Sequence, residues 1–282
     1  MTIASSRPPA VERKIPSDLI IEGLAQLSVK FNGVLVPGRQ LEGVLSRYTH
    51  NVFLHVESEV FPVMLRGSGT AIRFNGRELL ICTQHQLGTE ERDKVSMMTE
   101  GGKYLISSGG ERHYPNSTDT DAFDLVAFDF TDPVADNPEL KSKFFNLPKS
   151  RPAVGEVLGV LLVGYPYSDQ NYDIDEDGNR HIGVGRRLVL CKHDPKAPAD
   201  IALARVVPTE PLRFDPDGMS GGTAFLLMHG ADGFEAMLGG VVVRGGSEGF
   251  YVIKVGMVLD FVKSITAQWS DHAPERTSTG VS

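Results

Sequence analysis

The segment Asp217-Gly218-Met219-Ser220-Gly221-Gly222 places one serine among three glycines. It lies between a proline-containing turn, residues 213–216, and an apolar run, residues 223–228. Glycine tolerates positive φ and lets a second backbone or a substrate approach closely. The segment therefore predicts a tight bend that presents Ser220. The backbone N–H groups of Gly218 and Ser220 would then point at one spot, where a developing oxyanion is stabilised.

A serine presented in this way needs a base and a group that orients the base. His85 follows the apolar stretch Leu79–Gln84 and begins a loop, so a strand end would fix it within reach of a cleft. Asp124 precedes the apolar run Leu125–Phe128, where a carboxylate would orient an imidazole and stabilise its charged form. Each residue also has a purely structural interpretation: strand terminus for His85, strand-end cap for Asp124, turn residue for Ser220.

Three motifs in the order His, Asp, Ser resemble those of the trypsin/chymotrypsin-like serine peptidase family. Gly218–Gly222 matches the family's Gly-x-Ser-Gly-Gly, Leu80–His85 its strand ending in Thr-Ala-Ala-His, and Phe123–Ala127 its Asp-Leu-Ala strand. Supporting matches are Gly164-Tyr165-Pro166 and Gly239–Val243. The resemblance implies an all-β fold of two six-stranded antiparallel β-barrels, with the site in the crevice between them.

The same resemblance, which covers about residues 51–265, divides the chain into four parts. These are an N-terminal extension (1–50), a first β-barrel with a linker (51–150), a second β-barrel (151–265) and a polar tail (266–282). In the extension, apolar spacing predicts a helix from Ser17 to Leu27. Residues Gly256–Trp269 have the spacing of a closing amphipathic helix.

Short β runs with turn residues between them begin at Asn51. Asn75-Gly76 between two apolar runs is a strong hairpin signal. Residues 131–153 are rich in proline and charge and predict a linker. Strands are predicted at 52–56, 63–66, 70–74, 78–83, 94–98, 103–107 and 124–130, and then at 157–163, 187–191, 201–207, 222–227, 236–243 and 249–253.

The resemblance also implies a role for each residue of the site. Ser220 is the nucleophile, and His85 takes its proton and passes it to the leaving amine. Asp124 holds the imidazole tautomer, and the N–H groups of Gly218 and Ser220 form the oxyanion hole.

Motif alignment places the base of a substrate pocket near Phe214 and one wall at Val243-Arg244-Gly245. The base position carries no acid, although Asp215 is adjacent. We therefore expect a preference for uncharged residues on the amino side of the scissile bond, the P1 position.

The sequence departs from the family pattern beside the catalytic motifs. Met219 stands where digestive members have the aspartate that receives a newly cut N-terminus, so activation by cleavage after Lys14 is not expected. Gln84 replaces an alanine, and Gln86 replaces a cysteine found in many secreted members. These changes fit a member without disulfide bonds.

Composition narrows the function classes further. The 282 residues include 36 acidic and 28 basic side chains, and the net charge of −8 argues against a general nucleic-acid or anionic-membrane surface. Two cysteines, Cys82 and Cys191, do not make a disulfide framework, and residues 1–18 lack the apolar core of a signal peptide. A reduced, cytoplasmic protein is predicted.

No cofactor and no metal site are predicted. Asp173–Gly178 resembles the start of a calcium loop, but position twelve is Val184 rather than a bidentate glutamate. An acidic surface loop is the preferred interpretation of this segment.

The leading function hypothesis is a serine endopeptidase of restricted specificity that acts on protein or peptide substrates. Cleft loops, the N-terminal extension or a regulatory protein partner would control it. The alternative is a catalytically impaired protein of the same fold that acts as a binding or scaffold module. An unrelated esterase with the Gly-x-Ser-x-Gly elbow is disfavoured, because that elbow leads into a helix and here a β-like run follows.

Overall fold

The computed structural model describes residues 28–88, 95–99, 104–114, 123–147, 156–230 and 233–270. The predicted helix over residues 17–27 and the tail from residue 271 lie outside this part of the chain. The strands are β1 (Ser28–Phe31), β2 (Val34–Pro37), β3 (Thr49–His55), β4 (Val63–Phe74), β5 (Arg77–Thr83), β6 (Val95–Met98), β7 (Leu105–Ser107), β8 (Glu111–His113), β9 (Leu125–Asp129), β10 (Phe145–Asn146), β11 (Glu156–Gly164), β12 (Gln170–Ile174), β13 (Arg180–Val184), β14 (Arg187–His193), β15 (Leu203–Pro208), β16 (Thr223–Gly230), β17 (Gly233–Gly246) and β18 (Gly249–Lys254). The helices are α1 (Leu41–Leu45), α2 (Gln84–Leu87), α3 (Pro138–Lys141) and α4 (Val255–Ser270), with short 3₁₀ turns at Gly38–Gln40, Ser46–Tyr48 and Tyr167–Asp169.

Six strands of the second half close into the barrel that the sequence predicts, here called the C-terminal barrel. Their order is β16-β11-β14-β15-β18-β17, and pairing of β16 with β17 closes the ring. Alternate residues such as Val160 and Leu162 point inward, as the two-residue period of a strand requires. Because the ring is closed, each of the six strands pairs with a neighbour on both sides.

The first half forms an open curved sheet rather than a closed ring, and we call it the N-terminal sheet. Its order is β7-β6-β3-β4-β5-β9-β8, with β10 added in parallel to β4. The terminal strands β7 and β8 have only three residues each and do not pair with one another in the described chain. The mostly-β fold is confirmed, but it consists of one closed barrel and one half-barrel.

Strand β4 corrects the sequence prediction of a break at residues 67–69. It runs without interruption from Val63 to Phe74, because Gly67 adopts φ of 111° within the strand and Gly69 leaves room for the side chain of Leu80. The pairing with β3 shifts register between Asn51 and Phe53, which bends the strand.

The N-terminal residues that the structure describes extend the C-terminal barrel. Strands β1 and β2 form a hairpin around Asn32 and Gly33, both at positive φ, and β1 pairs in parallel with β17. Aromatic rings from both halves then meet: the centroid of Phe31 lies 5.6 Å from that of Phe145 and 6.0 Å from that of Phe225. This shared core fixes the two halves against each other and so fixes the crevice.

The expected linker is partly ordered secondary structure. Helix α3 begins after Asn137, whose side chain accepts a hydrogen bond from Leu140 N at 3.0 Å, with Pro138 in the first turn. Helix α4 begins and ends within one residue of the predicted amphipathic helix, and it buries an apolar stripe that includes Val258, Phe261 and Ile265. Within the described residues, no helix combines the length and the apolar character needed to cross a membrane.

Candidate active site

The structure brings together the three side chains that the sequence singles out. The imidazole Nε2 of His85 lies 3.2 Å from the hydroxyl Oγ of Ser220, although 135 positions separate the two residues. On the other side of the ring, Nδ1 is hydrogen-bonded to Oδ2 of Asp124. The second carboxylate oxygen of Asp124 accepts a hydrogen bond from the His85 backbone N–H at 3.1 Å. The carboxylate thus holds both the ring and the backbone of the histidine.

Regular secondary structure places the histidine and the aspartate. Strand β5 ends at Thr83, and the short helix α2 carries His85 one residue into its first turn. The β5–β9 ladder pairs Thr83 with Leu125, so Asp124 lies beside His85 at the same end of the sheet. A backbone hydrogen bond from Gln84 N to Asp124 O, 3.1 Å, extends the ladder by one step.

Gln86, one of the departures from the family pattern, has a structural role beside the histidine. Its Oε1 atom accepts from the backbone N of Thr83 at 3.1 Å and from the Thr83 hydroxyl at 2.7 Å, which completes a capping box on α2. Its Nε2 atom donates to the carbonyl of Ser68 at 2.9 Å. The buried amide therefore ties the histidine helix to β4, at the position where many secreted members have a cysteine.

Glycine geometry places Ser220. Gly218 has φ of 96° and Gly221 has φ of 81°, both in the region that side chains rarely adopt. A Cβ atom at Gly221 would lie 2.0 Å from the carbonyl oxygen of Ser68, and one at Gly218 would lie 2.7 Å from that of Tyr165. Only glycine fits at either position, and the bend predicted around the serine is formed.

The side chain of Met219 is buried in the C-terminal barrel, with 1% of its surface exposed. It belongs to the same apolar cluster as Val242 and Phe250. Packing of the Met219 side chain in the barrel therefore anchors the loop that carries Ser220.

The backbone around Gly218 has the polarity that an oxyanion hole requires. The Asp217 carbonyl accepts a hydrogen bond from Tyr167 N at 2.7 Å. Because a trans peptide is planar and directs its C=O and N–H to opposite sides, the N–H of Gly218 points away from Tyr167. Within the described residues, neither that N–H nor the N–H of Ser220 donates to a protein group. Both donors remain for a ligand.

The loop that carries Ser220, residues 217–222, is here called the serine loop, and it is also bound to the N-terminal sheet by residues that the sequence did not single out. The Ser68 hydroxyl donates to the carbonyl of Gly218 at 2.8 Å and accepts from the backbone N of Tyr165 at 2.7 Å. The Thr70 hydroxyl donates to the carbonyl of Gly221 at 2.9 Å. A serine between two glycines inside an apolar strand was the available signal for these contacts.

One residue of the expected substrate wall, Val243, contacts Ser220. The carbonyl of Val243 accepts a hydrogen bond from the Ser220 hydroxyl at 3.1 Å, an alternative to the bond from that hydroxyl to His85. Arg244 is exposed, with its guanidinium 4.5 Å from the centroid of the Tyr251 ring. Gly245 faces Phe250 across the β17–β18 ladder.

The ring of Phe250 takes the space that a side chain at Gly245 would occupy. A Cβ atom at Gly245 would lie 2.2 Å from Cδ1 of this ring, which is fully buried. Phe214, the expected pocket base, packs against the apolar cluster that contains Phe250 and Met219. No sequence signal singles out Phe250, because only the strand register places it beside Gly245.

The remaining reactive side chains lie away from this site. Cys82 and Cys191 are free and buried, and burial raises the pKa of both thiols, to about 12 for Cys191. In the described chain, no cluster of three or more histidine, cysteine or acidic residues is arranged to hold a metal ion.

Comparison of the sequence with protein-family models and with curated proteins finds no match. Comparison of the structure with solved structures places it in the trypsin-like fold. Human heparin binding protein aligns over 85% of this chain and 96% of its own, with a TM-score of 0.50 and 12% identity. A variant of that human protein aligns over 82% and 95%, with a TM-score of 0.52 and 12% identity. At these identities the likeness establishes the fold alone, and it agrees with the fold expected from the sequence motifs.

Proposed function

We propose that the protein is a serine endopeptidase that hydrolyses peptide bonds through an acyl-enzyme intermediate. The observation that carries the proposal is the 3.2 Å separation of His85 Nε2 and Ser220 Oγ, with Asp124 hydrogen-bonded to the opposite ring nitrogen. This distance lies at the outer edge of hydrogen-bond reach between a base and its nucleophile, where such pairs often stand without substrate.

Each step then has a residue to perform it. As the Ser220 oxygen attacks the scissile carbonyl, His85 Nε2 takes the hydroxyl proton, and Asp124 stabilises the resulting imidazolium. The N–H groups of Gly218 and Ser220 donate to the oxyanion. Collapse expels the amine, which takes the proton from His85. Water, deprotonated by His85, then cleaves the acyl ester and regenerates the serine.

We infer that the P1 residue is small and uncharged. The uncharged preference was expected from the absence of an acid at Phe214. Phe250 narrows the preference, because its buried ring already fills the space beside Gly245 and leaves none there for a long side chain. Phe250→Ala should shift cleavage in a peptide library from Ala- or Gly-like P1 residues toward larger apolar ones. Unchanged preference in a folded Phe250→Ala variant would contradict this inference.

An apolar groove supports binding of the substrate residues that follow the scissile bond. It has a volume of about 500 Å³ and is lined by residues that include Phe61, Met64, Tyr167 and Tyr172. It adjoins the serine loop, because Tyr167 N donates a hydrogen bond to the Asp217 carbonyl. Apolar substrate residues after the cleaved bond would bury surface there.

The runner-up function is a catalytically impaired protein of this fold that acts as a binding or scaffold module. The filled space beside Gly245 is the observation that favours it, because a closed pocket weakens substrate binding.

The free, buried thiols support a reducing compartment, and we propose the cytoplasm as the location.

A fluorophosphonate probe distinguishes these two functions. The wild type should be labelled at Ser220, and Ser220→Ala should lose labelling and reduce peptide hydrolysis by roughly 10⁴–10⁶-fold. Ser247→Ala, at an exposed serine on the turn after β17, is the matched control and should keep both. A folded wild type that is neither labelled nor active would support the binding module.

A further inference from the structure

A second cleft lies between the two halves of the molecule, and none of the candidate catalytic side chains lines it. Its volume is about 380 Å³, and its lining includes Arg47, His50, Asn51, Lys143 and Arg186. We call it the cationic cleft. We propose that the cationic cleft binds a small anion that carries at least two negative charges, such as a phosphate ester or a polycarboxylate.

The charge of the cleft is the first argument. Its lining contains two arginines, one lysine and one histidine, and no carboxylate, in a chain whose net charge is −8. Among the described residues, neither Arg47 nor Arg186 forms an ion pair. Positive charges gathered in a concave surface repel one another and make the local electrostatic potential positive. A bound anion reduces this repulsion.

The burial of Lys143 is the second argument. Only 7% of this residue is exposed, and its ammonium lies 3.5 Å from the carboxylate of Glu139, a side chain that is 81% exposed. An anion held inside the cleft would be shielded from water and would attract this ammonium at short range.

Donor geometry is the third argument. One guanidinium nitrogen of Arg186 donates to the Ser46 carbonyl at 3.1 Å, which fixes the side chain across the cleft while its other N–H groups remain. The side-chain oxygen of buried Asn51 accepts from Met98 N at 2.8 Å, so the donor end of that amide remains for a ligand. Fixed N–H donors of this kind suit phosphate and carboxylate oxygens.

The two walls come from different halves, and this determines the effect of binding. Arg47, His50 and Asn51 lie at or near the start of β3, whereas Ile182 and Arg186 lie in and just after the β12–β13 hairpin. An anion that contacts both walls links the halves. Because it binds only the folded state, it raises the unfolding temperature as its concentration rises.

The experiment measures binding of inorganic pyrophosphate, and separately of citrate, to the full chain by calorimetry and thermal unfolding, with ionic strength matched by NaCl. Saturable binding with a raised unfolding temperature is expected for one of the two probes, and which probe binds tighter distinguishes a phosphate ligand from a carboxylate. Arg47→Gln/Arg186→Gln should weaken that binding about tenfold or more. The control Arg39→Gln/Arg180→Gln makes the same charge change at two exposed arginines outside the cleft and should keep the wild-type affinity.

Equal affinity of the two double variants would overturn the proposal, and so would an absence of saturable binding by either probe beyond the NaCl control. If the cleft variant does not unfold cooperatively without ligand, the single Arg47→Gln variant replaces it. That side chain is exposed, so its loss leaves the fold intact, and binding must still weaken.

Discussion

The two halves of the molecule position their parts of the site by different means. The N-terminal sheet holds His85 and Asp124 through an ordinary strand ladder and one short helix, so sterically ordinary residues suffice around them. The second half holds Ser220 on a loop whose two glycines at positive φ leave no room for a side chain, and whose carbonyls are bound by the opposite half. Substitutions beside the base should therefore change chemistry with little cost in stability, whereas substitutions in the serine loop should change both.

Asp124→Asn is the sharpest test of the first half of this comparison. The amide keeps the shape of the carboxylate but favours the wrong imidazole tautomer and cannot stabilise the imidazolium. We expect peptide hydrolysis to fall by roughly 10³–10⁴-fold, with an unfolding temperature near that of the wild type. Asp132→Asn, at an exposed acid after β9, is the control and should keep full activity. Equal losses of activity and stability in Asp124→Asn would contradict the distinction between the halves.

Gly221→Ala tests the second half. A Cβ atom there would lie 2.0 Å from the Ser68 carbonyl oxygen and 2.7 Å from Gln86 Oε1, at φ of 81°. The loop must move, so we expect a loss of roughly 2–3 kcal/mol in the free energy of unfolding together with a loss of fluorophosphonate labelling.

Gly246→Ala is the matched control for that variant. A Cβ atom at Gly246 has nothing within 4 Å, and this glycine does not occupy positive φ. Its stability and labelling should stay at wild-type levels. A stable and labelled Gly221→Ala protein would show that the serine loop tolerates what its geometry forbids.

Gln86→Leu tests the connection of helix α2 to β4, the strand whose Ser68 binds the loop of the other half. The substitution keeps a buried side chain of similar length. It removes the oxygen that accepts from Thr83 and the N–H that donates to the Ser68 carbonyl, and neither Gln86 nor Ser68 binds substrate in the proposed mechanism. Unpaired buried polar groups predict a loss of about 1–3 kcal/mol, and labelling should slow because Ser68 also supports Gly218. Gln40→Leu, at an exposed glutamine of the 3₁₀ turn Gly38–Gln40, should change neither quantity. A Gln86→Leu protein as stable as the wild type would argue against this connection.

The same contrast explains what the sequence could predict. The strand ends next to the histidine and the aspartate can be recognised in the sequence where apolar runs stop. The glycines around the serine can be recognised directly. The closed barrel, the closing helix and the meeting of His85, Asp124 and Ser220 agree with those signals.

Contacts set by strand register across long separations were not predictable. Ser68 reaches Gly218 across 150 positions, and Phe250 meets Gly245 only because of the β17–β18 pairing. The hairpin β1–β2 was missed because its strands are short and one of its faces is exposed, so their apolar residues carry little periodic signal. Strands β12 and β13 were not predicted for a similar reason, since most of their residues are exposed. The acidic surface loop expected at Asp173–Gly178 overlaps the turn between them.

The smallest expected effect, a change in unfolding temperature, is at the β12–β13 hairpin. This hairpin holds neither the histidine and aspartate nor the serine in place. The Asp175 carboxylate accepts hydrogen bonds from His181 and Asn179, which lowers its pKa from 3.8 to about 2. A depressed pKa in the folded state contributes stability above the ordinary value, and this contribution is lost as the pH falls from about 4 toward 2. Because the pair is exposed, the change in unfolding temperature should be slight, and Asp175→Asn should remove it. Measured from pH 6 to about pH 1, the unfolding temperatures of the two proteins should converge at the acid end, while labelling of Ser220 at neutral pH stays equal. A variant that remains less stable than the wild type below pH 2 would show that the hairpin depends on this carboxylate for something other than its charge.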